Sequence, residues 1–122
     1  MFKVYKKKSR DFTVLFLQGR LVTNEVFILR DAALTELNTN PIVLDFARVS
    51  RIDARGLGVL LEIRELSESK GLPFKLVNVS RLVKRIFEIS NLDSVFEIIA
   101  EKDLPTANVQ NRAESGQFTA IR

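Results

Sequence analysis

The chain has 122 residues, 46% of them hydrophobic and 28% charged, enough for the core of one domain beneath an ordinary polar surface. It contains neither cysteine nor histidine, which excludes disulfides, thiolate nucleophiles, serine–histidine catalysis and the usual zinc, copper and haem sites. The formal charge is +4, but only Lys6, Lys7 and Lys8 form a tight basic run, and the acids mixed among the other cations argue against a nucleic-acid partner.

Met1 to Arg10 is basic but leads into no long apolar stretch of the secretory kind. No apolar run nears the roughly 20 residues of a membrane span. A cytoplasmic protein without membrane insertion is therefore expected. Phe2, Val4 and Lys6 alternate with Lys3, Tyr5 and Lys7, which predicts an edge strand whose lysines discourage edge-to-edge pairing. Phe12 to Leu17, ending at Gly19, reads as a second strand, and the short gap at Arg10 and Asp11 makes the two an antiparallel hairpin.

Thr23 or Asn24 can cap a helix running to about Leu37, with Val26, Leu29, Ala33 and Leu37 facing the sheet. Asn38 to Pro41 breaks it, and Ile42 to Phe46 is a short, nearly continuous apolar strand. A second helix is expected from Ala54 to a stop at Gly71, then a strand over Phe74 to Val79. Ser80 caps a third helix whose Leu82, Val83, Ile86, Phe87 and Ile89 form an apolar stripe ending at Asn91, a residue that tolerates left-handed backbone. Val95 to Ile99 is the last strand. The order ββαβαβαβ predicts an α/β fold in which a mixed sheet packs with α-helices and its alternating part is parallel. Residues 1–102 read as a single domain, and 103–122 as a polar C-terminal tail or terminal helix.

Val43-Leu44-Asp45-Phe46, followed by Ile52-Asp53-Ala54-Arg55-Gly56-Leu57-Gly58, resembles the signature of the STAS domain family, a V-L-D-L strand and then I-D-S-S-G-L-G opening a helix. Gly19-Arg20-Leu21, Leu76-Val77-Asn78, Val83 to Phe87 and Asn91 to Phe96 keep the family's register, so the likeness covers roughly residues 10–100. The resemblance, closest to the anti-sigma factor antagonists, implies a STAS-like sheet and a non-catalytic binding module. In those antagonists a serine kinase that is itself the anti-sigma factor phosphorylates the serine after the Asp. The unmodified form binds that kinase and frees a sigma factor. Here Ala54 stands at the phosphorylated position and Arg55 at the second serine, and Val22 replaces an Asp common in the preceding loop.

The resemblance implies a partner surface built from Arg20, Val22, Thr23, Asp53, Ala54, Arg55, Gly56, Leu57, Gly58 and Leu61. Its expected partner is an anti-sigma factor or a related serine kinase, and no cofactor is implied. Other roles open to the fold are an accessory subunit of a lipid or solute transporter and a scaffold subunit of a signalling assembly. On its own chemistry, Asp53 is a helix cap rather than a catalytic acid, and no acidic cluster suits magnesium. Gly56 and Gly58 serve close packing against a strand, or close approach of a partner. Leu57 and Leu61 lie off the stripe of Val59, Leu60, Ile63 and Leu66, either under a neighbouring helix or as an exposed patch. Arg55 is a solvated side chain pairing with Asp53 or Glu62, or a recognition group for an acidic partner, joined by Arg20 and Arg51 if the loops converge.

Overall fold

The computed structural model describes residues 1–104 and 119–120. The elements run β1 (Lys3–Lys8), β2 (Thr13–Leu21), α1 (Val26–Glu36), β3 (Ile42–Ile52), α2 (Ala54–Ser69), β4 (Phe74–Val77), α3 (Arg81–Ile89), β5 (Glu97–Ile99), a 3₁₀ turn (Glu101–Asp103) and β6 (Thr119–Ala120). The expected ββαβαβαβ order is therefore present. The sheet has the order β5-β4-β3-β2-β1-β6. β1 and β2 form the antiparallel hairpin, while β2, β3, β4 and β5 are parallel neighbours.

All three helices pack on one face. Leu29 of α1, Leu60 and Ile63 of α2, and Val83 and Phe87 of α3 share a core with Val4, Leu15, Leu17, Leu44, Phe46 and Leu76 of the strands. Strand residues alternate between faces, so Val14, Val43 and Val77 point the other way, into a smaller cluster with Phe12 and Leu104. That second cluster is why Ile42 to Phe46 reads as a continuous apolar run.

Several expectations are corrected. β1 is not an edge where Tyr5 and Lys6 pair with β6. Its lysines are not all solvated either, because Lys7 is buried and Lys6 forms a 3.1 Å ion pair with the buried Glu36. β3 continues six residues past Phe46 to Ile52, held by β2 as far as the Leu21–Ile52 pair. Its second half was hidden by exposed Ala47, Arg48, Ser50 and Arg51 and by two register shifts against β2. On α3, Val83 and Phe87 are buried and Ile86 is partly so, but Leu82 and Ile89 are 61% and 68% exposed and do not join the core.

The stop signals are where the sequence put them. Gly71 follows α2 at φ +68°, and Asn91 follows α3 at φ +60°. Ser80 Oγ accepts from the Val83 N–H at 3.2 Å, capping α3. β4 stops at Val77 rather than Val79 because Asn78 takes φ +58°. Of the tail expected over 103–122, Leu104 is buried and Thr119–Ala120 pair with β1, while 105–118 and 121–122 lie outside the described residues.

Candidate functional site

The parallel strands all end on one side of the sheet, where the β2–α1 loop meets the start of α2. Asp53 organises that junction. Its Oδ1 accepts from the Gly56 N–H at 3.0 Å, the expected N-cap bond. Its Oδ2 accepts twice from Thr23, from the backbone N–H at 3.0 Å and from the hydroxyl at 2.9 Å. Desolvation alone would raise the Asp53 pKa, but the donors from Gly56, Thr23 and the Arg55 backbone outweigh it and hold the carboxyl below its ordinary value. Asp53 is thus an ionised double clamp, with its acceptor oxygens occupied by structure.

Thr23 and Asn24 do not cap α1. The N-cap position is Glu25, which makes no side-chain cap bond, and its carboxylate instead accepts from the Phe2 N–H at 2.9 Å. The Thr23 hydroxyl is spent across the junction on Asp53. Sequence spacing alone favours the local cap, and only the tertiary approach of the two segments reveals the other use.

Gly56 has a structural reason. A Cβ there would sit on the Leu21 carbonyl oxygen and 2.8 Å from Ile52 Cγ1, so the first turn of α2 rests directly on the ends of β2 and β3. Gly58 has none of this, for a Cβ there meets nothing within 4 Å. Ala54, Arg55 and Gly58 are exposed on the free side of that turn, with Thr23 and Arg20 exposed beside them and Val22 half-buried.

Leu57 and Leu61 are half-buried and packed against the main core, so they do not form a free apolar patch. The exposed large apolar residues among those described are Met1, Phe27, Leu82 and Ile89. Glu62 does not pair with Arg55. It takes a two-pronged contact from Arg30 of α1, with Nε at 3.1 and 2.9 Å. That bond leaves the Arg55 side chain with no ion pair among the described residues.

Nine of the ten residues expected at the partner surface therefore cluster at one end of the sheet, and Leu61 lies a turn further along α2. Arg20 and Arg51 do converge, as direct partners across β2 and β3. Lys3 and Arg48 were not singled out from the sequence. Lys3 joins the region by pairing with Gln18 of β2, and Arg48 because β3 runs on past Phe46, a continuation that its broken alternation and register shifts concealed.

A model of the family described as "Mlab, STAS domain" matches residues 5–100. A Thermotoga maritima protein described as a candidate anti-sigma factor antagonist is 25% identical, with TM-score 0.73, over 88% of this chain and 92% of that one. SpoIIAA, an anti-sigma factor antagonist solved in its unphosphorylated form, is 23% identical with TM-score 0.68 over 94% and 97%. A sulfate transporter family protein from Wolinella succinogenes has the same fold at 19% identity and TM-score 0.61, over 85% and 87%.

Proposed function

The chain belongs to the STAS domain family, and on that premise we propose that it is a non-catalytic protein-binding regulator of the anti-sigma factor antagonist kind, held permanently in the binding-competent form. The observation that carries this reading is the start of α2. The Asp53 clamp is complete, yet the exposed residue that follows it is Ala54. In the family's switch, a phosphoryl group at that position adds about −1.5 to −2 charge at the docking surface. An alanine offers no oxygen to accept one. The surface persists and the switch is lost.

The partner under this reading is an anti-sigma factor that is itself a serine kinase, met in the cytoplasm. The partner-facing residues are the exposed Arg20, Thr23, Ala54, Arg55 and Gly58, with Val22, Asp53, Gly56, Leu57 and Leu61 supporting them from the half-buried or buried side. Asp53 takes no part in proton transfer, since Gly56 and Thr23 already occupy its oxygens.

The test is affinity capture with wild type and Ala54→Asp as baits. An acid in the first turn of a helix favours the fold by about 0.3–1 kcal/mol, so loss of partner by that variant reports the surface and not unfolding. The expected result is an ATP-binding anti-sigma kinase recovered by wild type and not by Ala54→Asp. Recovery of transporter ATPase subunits by wild type would assign the chain to a transport assembly instead.

A further inference from the structure

The face of the sheet opposite the helices carries a group of cations that the packing of the domain does not explain. Lys3, Gln18 and Arg48 lie side by side across β1, β2 and β3 as successive register partners. Arg20 and Arg51 form the next such pair, two positions further along β2. Facing is fixed by the neighbours. Val4, Val49, Leu21 and Ile52 all turn into the main core, so Lys3, Arg48, Arg20 and Arg51, each adjacent in sequence to one of them, project from the other face.

All four cations are exposed. None makes a side-chain hydrogen bond or an ion pair among the described residues, although the same domain pairs Lys6, Arg30, Arg64, Lys75 and Arg85 with acids. Like charges in direct cross-strand register are destabilising, and the Arg20–Arg51 pair is one. A cost of this kind at the site end of the sheet, relieved by no acid among the described residues, marks a surface that an anion would complete.

We propose that Lys3, Arg20, Arg48 and Arg51 form a docking face for an acidic segment of the protein partner, continuous around the end of the sheet with Arg55 on α2. The inference rests on the reading of the chain as a protein-binding module and supplies the partner's chemistry. The dimensions favour a short peptide stretch over a nucleic acid. The strands lie about 4.8 Å apart and the two rows about 7 Å apart, a patch that spans a few carboxylates. The basic track also stops at once, because Asp45 and Glu101, joined by the Asn78 side-chain amide at 3.0 and 3.2 Å, occupy the next stretch of the same face. A phosphate backbone crossing the sheet would meet those acids.

A fluorescein-labelled ten-residue oligoglutamate, followed by fluorescence anisotropy in low salt, tests this on the full chain. Arg20→Glu/Arg51→Glu is expected to weaken binding at least about tenfold, the loss of two charge-assisted contacts. Arg20→Gln/Arg51→Gln, which removes charge without adding acid, is expected to lose less. Arg81→Glu/Lys84→Glu makes the same change in net charge on α3 and is expected to leave binding within about twofold, since screened charges at a distance contribute little. Equal losses in the α3 variant would overturn the proposal. So would tighter binding of a ten-nucleotide oligothymidylate, which would make the face a nucleic-acid site. The two readings fail separately. If Ala54→Asp loses the captured partner while Arg20→Glu/Arg51→Glu retains it at wild-type affinity, the antagonist reading stands and the acidic-segment face falls. If the arginine variant loses oligoglutamate while Ala54→Asp keeps the partner, the reverse holds.

Discussion

On the helix side of the sheet, Leu15, Leu44, Phe46 and Leu76 meet apolar side chains from all three helices. On the other side, the same strands divide their surface. Phe12, Val14, Val43 and Val77 make a small core with Leu104 where β2 and β3 begin, and Lys3, Arg20, Arg48 and Arg51 stand toward the far ends of β2 and β3 without a side-chain partner among the described residues. The difference teaches where selection for folding stops acting on a strand. A continuous core takes apolar residues at nearly every inward position and pairs the exceptions, as Lys6 and Thr13 do with buried Glu36, whereas a face with only part of its length buried leaves its remaining positions free for charge.

The largest separation between the faces is expected in the core. Leu44 and Val43 are neighbours in β3 that point to opposite sides. Leu44→Ala is expected to cost about 2–5 kcal/mol and Val43→Ala only about 1–2 kcal/mol, two methyl groups' worth of transfer. Denaturant titration of both variants checks the order. Equal costs would mean that the two clusters are equally tight.

Gly56→Ala joins the helix side to the site. The added methyl is driven against the Leu21 carbonyl and Ile52, and a loss of about 1–3 kcal/mol is expected from overpacking. Gly58→Ala, with open space around it, is expected to gain up to about 1 kcal/mol from helix propensity. The same denaturant series reads both, and a penalty at Gly58 would contradict the placement of α2.

Asp53→Ala is expected to cost about 0.5–2 kcal/mol at neutral pH, as for a lost helix cap. The folded-state pKa of Asp53 is lowered from 3.8, so its contribution is complete above that value and is lost as pH falls through the folded pKa. The gap between wild type and Asp53→Ala is therefore expected to be constant from pH 7 to about pH 5 and to close in acid. A gap that instead widened in acid would reverse the assigned sign.

The smallest effect belongs to the open face. Arg51→Glu places an acid opposite Arg20 and is expected to stabilise by about 0.2–1 kcal/mol, shrinking as salt is added. Thermal melts at low and high salt check it, and destabilisation would show that the arginine pair is not in conflict.

How much of this was legible in the sequence follows from the range of the forces involved. Gly71, Ser80 and Asn91 act within one turn of themselves, and the sequence marked each boundary correctly. The Asp53 cap was legible for the same reason, and the STAS signature brought Thr23 and Ala54 into view. What failed needed knowledge of distant segments. Thr23 has two acceptable uses, and only the meeting of the β2–α1 loop with α2 chooses the Asp53 bond over the cap. Lys6 reads as an exposed gatekeeper until Glu36, thirty residues on, supplies a buried carboxylate. Leu82 and Ile89 fit a helical stripe by spacing but flank its buried centre at Val83 and Phe87. Arg48 and Arg51 look like loop residues because a strand that is buried on one face and shifted in register loses its simple alternation.

The most direct test of a binding surface without its switch is to add ATP to complexes of the captured kinase with wild type and with Ala54→Ser. The Ala54→Ser chain is expected to take up phosphate at position 54 and leave the complex, while the wild-type chain stays unmodified and bound. Phosphate on the wild-type chain, with release of the partner at the same rate, would contradict the account and place a working switch elsewhere on the surface.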